Sequence, residues 1–135
     1  MLNRARSSVL LGLWLFACQA SDAPVDPVWG KQPCDSCRML VSDPRFAAQL
    51  VDASGRRRFF DDIGCLDAHL AEHPSETPRG LWVRLGESWV DARSARYFSD
   101  AASPMDYGFV AGERGPLDFS SVRAKAAARR QEHSR

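Results

Sequence analysis

Phe59-Phe60-Asp61-Asp62-Ile63-Gly64-Cys65-Leu66 is the stretch that decides the fold, because the hydrophobic period changes inside it. The aromatic pair closes a short run, 58–60, that reads as a β-strand. Beyond the two aspartates, Ile63, Leu66 and Leu70 recur at i, i+3 and i+7, which is one face of an α-helix. Asp61 or Asp62 serves as the N-cap, its carboxylate accepting amide protons that the first turn leaves unpaired. Pro74 ends the helix, predicted over 63–73.

Working outward, residues 46–52 form a strand that returns through Ala53-Ser54-Gly55 into 58–60, a hairpin, and residues 39–41 add another strand before it. After a polar turn through Pro78 and Gly80, strands 81–85 and 88–91 make a second hairpin around Gly86-Glu87, with Trp82 and Trp89 expected in the core. A short helix over 92–98, a strand over 107–111 and a terminal helix over 120–132 complete the prediction. The class is α+β, a small domain of β-hairpins and short helices, arranged as two hairpin-then-helix units without a clear sequence repeat.

The first 17 residues carry Arg4 and Arg6 with no acidic group, then an apolar run over 9–17. That is the shape of a signal peptide, too short to span a bilayer. Leu15-Phe16-Ala17-Cys18 resembles the bacterial lipobox, so residues 1–17 are expected to be removed and Cys18 lipidated. Residues 18–28 are then an anchor and tether, 29–118 the metal-binding domain and 119–135 a basic C-terminal helix or tail. The expected location faces the periplasm, on a membrane lipid anchor. Gln19 lacks the aspartate that often retains lipoproteins at the inner membrane, which favours the outer one.

Charge is unevenly placed: residues 18–118 hold 11 basic and 16 acidic side chains, whereas 119–135 hold five basic and one acidic. The body is acidic and the end basic, a pattern that a solvated helix explains. Export separates the chain from nucleic acid, and no nucleic-acid partner is expected.

Four cysteines are present, and lipidation of Cys18 leaves Cys34, Cys37 and Cys65, an odd number for an oxidising compartment. Cys34-Asp35-Ser36-Cys37-Arg38-Met39 sets two thiols three residues apart with a thioether close behind. Thiolate and thioether are soft donors, and together they favour Cu(I) over hard ions. Cys65 falls in the first helical turn, where free amides and the helix dipole favour thiolate. His69 and His73 follow it on roughly the same face. Met105 stands in a loop bracketed by Pro104 and Gly108, without an evident core to fill.

Cys34 to Val41, Arg45-Phe46-Ala47-Ala48-Gln49-Leu50, residues 60–66, Trp89-Val90-Asp91-Ala92 and Pro104-Met105 together resemble the NosL family, lipoprotein accessory factors of nitrous oxide reductase. The resemblance runs over 34–111. It implies paired ββα-like modules related to those of organomercurial lyase, and a Cu(I)-binding metallochaperone without catalytic turnover. Its copper would pass to the apo-form of nitrous oxide reductase or to that enzyme's assembly factors. Carried over, Cys37 and Met39 are primary ligands, Met105 a partner, and Cys65 and Cys34 auxiliary donors. The family usually has glycine where Arg38 and Asp106 stand.

Two other readings use the same residues. A Zn(II)-stabilised treble clef would take Cys34, Cys37, Cys65 and a fourth donor, His69. A Cys-x-x-Cys thiol-disulfide oxidoreductase would use Cys34 and Cys37 alone.

Overall fold

The computed structural model describes residues 21–135. The expected signal peptide and the lipidation site at Cys18 lie outside the described residues. Among the described residues no helix is long and apolar enough to cross a membrane.

Strands β1 (Ala48–Val51) and β2 (Arg57–Phe60) form the first hairpin, and helix α1 (Ile63–Glu72) follows directly. Asp52 shapes the hairpin turn, its Oδ1 accepting from the Ser54 and Arg56 amides, and Gly55 supplies the positive φ of 86°. Asp62, not Asp61, is the N-cap of α1, accepting from Gly64 N at 2.9 Å. Strands β3 (Gly80–Leu85) and β4 (Ser88–Asp91) make the second hairpin, turning at Gly86. The two hairpins merge into one antiparallel sheet of order β2-β1-β3-β4. Alternation sends Ala48, Leu50, Phe60, Leu81 and Val83 to one face, where they pack with Ile63 and Leu66 of α1. Each such buried side chain contributes roughly 1.5–3 kcal/mol.

The first hairpin-then-helix unit is thus β1-β2-α1. The second hairpin reaches its helix, α2 (Phe119–His133), only after a two-stranded ribbon of β5 (Tyr97–Phe98) and β6 (Val110–Ala111). The short helix expected over 92–98 is a single turn, in which the Asp91 side chain and carbonyl accept from Arg93, Ser94 and Ala95 amides. Tyr97 then turns extended because its backbone pairs with both Ala111 and Leu117. The expected strand at 39–41 is reduced to one bridge, Pro33 with Leu40, since Arg38 adopts φ of 69° and closes a tight turn instead.

Packing defines three further features. From Ser21 on, the tether is a strap across the outer face of the sheet. Buried Gln49 exchanges hydrogen bonds with the Val25 backbone, its Nε2 donating at 2.9 Å and its Oε1 accepting at 3.2 Å. Trp82 and Trp89 lie half-buried under this strap, their indole N–H groups donating to Asp22 O and Asp26 Oδ1, so that Trp89 packs against the margin of the core and Trp82 stays outside it. The basic terminus is likewise docked. Phe119, Val122 and Ala126 face the core, and buried Asp67 of α1 receives Arg123 at 2.6 Å and Arg130 at 2.8 Å. A buried carboxylate needs such partners, and they account for two of the five basic groups of that segment.

Candidate metal centre

Residues 33–41 fold into a knuckle: Arg38 N donates to Cys34 O, and Cys34 N to Met39 O at 2.7 Å. Asp35 ties the knuckle to β2, exchanging backbone and side-chain bonds with Phe59. This places Cys34 and Cys37 beside the junction between β2 and α1, where Asp61 and Cys65 point inward. Sulfurs of Cys34, Cys37 and Cys65 and a carboxylate oxygen of Asp61 all lie within 4.8 Å of one another. These four residues can hold a metal ion. Cys34, Asp61 and Cys65 are buried, while Cys37 is half-buried and forms the side of the cluster nearest solvent.

The three cysteines are free thiols. The Cys65 thiol donates to Cys34, which together with backbone amides of Asp61 and Cys37 lowers the Cys34 pKa from 9.0 to about 7. Cys65, as the donor and in a desolvated position, is pushed up. Desolvation raises Cys37 to about 12, partly opposed by a bond from the Met39 amide, and its thiol donates to Asp61 Oδ1 at 3.1 Å. Cys34 is therefore the thiol of the three that ionises most readily, and a bound cation would draw the other two protons off.

Asp61 Oδ2 is buried and has no hydrogen-bond partner. An orphaned carboxylate oxygen costs several kcal/mol unless something positive meets it, and the surrounding thiols make a metal ion a fitting occupant. Sequence reading missed Asp61 as a donor, assigning it only to capping. The signal was the acid pair itself: one carboxylate suffices for the cap, leaving the other to be explained.

Met39 follows Cys37 in the knuckle and is 50% exposed, as is its chain neighbour Leu40 at 51%. Met105 is half-buried in the loop after β5, and Asp62 holds that loop: its Oδ2 accepts from Ser103 Oγ at 2.6 Å and Met105 N at 3.1 Å. Both thioethers are thus tied by backbone to the elements that carry the thiols, Met39 to the Cys37 turn and Met105 to the cap of the Cys65 helix. Tyr107 seals this end by laying its ring on Gly64, where any Cβ would fall inside the ring.

His69 does not join the cysteines. It turns to Glu76, Nε2 to Oε2 at 2.7 Å, and stacks on His73, so the fourth donor assigned to it in the zinc reading is Asp61. Cys34 and Cys37 sit in a turn that opens no helix, unlike the setting of a thioredoxin-type motif. No protein-family model, curated protein or solved structure matches the chain.

Proposed function

We propose that the protein is a Cu(I) carrier of the NosL type, lipid-anchored through Cys18 and facing the periplasm, that delivers copper to nitrous oxide reductase during its maturation. The observation that carries this reading is the three-thiol cluster in which only Cys37 approaches the surface, in the same turn as the half-exposed Met39, whose amide bonds the Cys37 sulfur. Soft donors select Cu(I), and an open edge lets an acceptor's ligand enter before the donor's leaves. Arg38 and Asp106 add support. They stand where the NosL pattern has glycine, and both adopt left-handed backbone, φ of 69° and 60°, the conformation glycine favours.

Asp61 favours a second reading. With its free oxygen it completes a four-donor set with the cysteines, the number a closed structural Zn(II) site requires. Anaerobic titration of the reduced protein with Cu(I) and Zn(II) separates the two. The carrier reading expects Cu(I) preference, weakened by Met39→Leu and Met105→Leu and little changed by Asp61→Asn. Zinc preference, lost in Asp61→Asn and indifferent to both methionines, would overturn it.

A further inference from the structure

Helix α1 carries a second cluster at its other end. His69 and His73 are four residues apart and share one face, their rings stacked 4.2 Å apart. The chain then breaks at Pro74, and a tight turn, Glu76 N to His73 O at 3.0 Å, folds Glu76 back over the helix end. Donor atoms of His69, His73 and Glu76 all lie within 4.8 Å of one another.

We propose that His69, His73 and Glu76 form a second metal site, distinct from the cysteine centre, for a divalent ion of the borderline class such as Zn(II). Two imidazoles and a carboxylate are a donor set suited to such ions, with a coordination position left open. Three observations carry the assignment further than an ordinary His-Glu pair.

The first is tautomeric. His73 Nδ1 lies 2.9 Å from the His69 carbonyl and must donate to it, which leaves the lone pair on Nε2. A backbone carbonyl fixing the far ring nitrogen is the usual support of a metal-binding histidine.

The second is charge. Arg58 lies among Asp35, Asp52 and Glu76, at 3.9, 3.8 and 3.8 Å, so one guanidinium is shared by three carboxylates. Arg93 and Arg123, which also line the cavity, are taken by Asp91 and Asp67, and a divalent ion beside Glu76 would offset the remaining negative charge.

The third is access. His69 is buried, but His73 and Glu76 line an open cavity of about 630 Å³ bounded by Pro74, Pro78 and Arg93. An ion entering there would take the His69 Nε2 lone pair as the proton now shared with Glu76 Oε2 passes through solvent to His69 Nδ1, which keeps the ring neutral. Movement of the Glu76 carboxylate and a tilt of the His73 ring about its bond to the His69 carbonyl would close the set to the roughly 2.0–2.2 Å that nitrogen and oxygen ligands take around zinc.

Untagged, reduced full-length protein titrated with Co(II), then displaced with Zn(II), tests the proposal. Two equivalents are expected. One shows thiolate-to-cobalt charge transfer and is lost in Cys37→Ser; the other shows only weak d–d bands and persists in that variant. His73→Ala, at the surface, and Glu76→Gln, an isosteric change at a half-buried position, should each weaken the second equivalent at least about tenfold and leave the charge-transfer band intact. Absence of an equivalent with d–d bands alone, or one unchanged in both variants, overturns the site. Loss of the charge-transfer band alone would bear on the cysteine centre and not on this one.

Discussion

Replacing Gly64 by alanine sets two physical effects against each other. In a solvent-facing helix position the change would stabilise the fold by about 1 kcal/mol, since glycine is the poorer helix former. Gly64, however, lies in the first turn of α1 under the Tyr107 ring, and a Cβ there overlaps three ring atoms. No rotamer of alanine avoids this, so the ring must move. Displacing a buried aromatic side chain loses about 2–3 kcal/mol of burial. The shift also strains the loop whose Met105 amide donates to Asp62, a charge-assisted bond of about 1.5 kcal/mol if lost entirely.

The balance is a destabilisation of about 2 kcal/mol. With a urea m-value of about 2 kcal/mol/M for a domain of this size, the midpoint of unfolding should fall by about 1 M. The assay is urea unfolding of the reduced, metal-free protein, followed by tryptophan fluorescence. A double-mutant cycle makes the cause testable: in a Tyr107→Ala background the same Gly64→Ala change should become neutral or mildly stabilising. An equal loss in both backgrounds, or a gain in the wild-type one, would refute the packing argument.

Asp67→Asn leaves Arg123 and Arg130 of α2 without their buried carboxylate; after discounting for the partial exposure of both arginines, the expected loss is about 1–2 kcal/mol. Amide exchange should quicken in α2 before it does in the sheet. Metal-free stability should rise between pH 7 and 9, where Cys34 is ionised in the folded chain and protonated in the unfolded one. Above pH 9 it should fall, because the unfolded chain then sheds the protons that Cys37 and Cys65 retain; thermal melts across pH 6–11, repeated on Cys34→Ser, check both limbs. Arg38→Gly should stabilise the fold by about 1 kcal/mol, as an exposed left-handed residue gains from losing its Cβ, and an unchanged melting temperature would argue against strain in the knuckle.

The elements that sequence reading placed well are those in which a local period and a local punctuation agree. Helix α1 has an apolar face, an aspartate cap and a proline stop within twelve residues, and both main hairpins carry a glycine at the turn. The misplacements share a cause of a different kind. Trp82 and Trp89 look like core residues by type, and only a strap from residues far upstream, supplying Asp22 and Asp26, explains why they lie beneath a covering chain. The 92–98 segment has helical composition, yet tertiary pairing of Tyr97 with Ala111 and Leu117 overrides it.

The site divides along the same line. Cys34 and Cys37 are a local motif and Cys65 a helix-start cysteine, and each announces its chemistry by residue type alone. Their convergence with Asp61 depends on the Asp35 link between the knuckle and β2, a contact spanning 24 residues. The same link has a consequence for how the two clusters communicate. Asp35 holds the knuckle to Phe59 and also faces Arg58, which faces Glu76 at the far end of α1. A cation at Glu76 would weaken the pull on Arg58 from that side and strengthen its hold on Asp35, and with it the knuckle that carries Cys37. An ion bound at Glu76 would thereby act on the open edge of the thiol cluster at the other end of α1 through Arg58, which belongs to neither donor set.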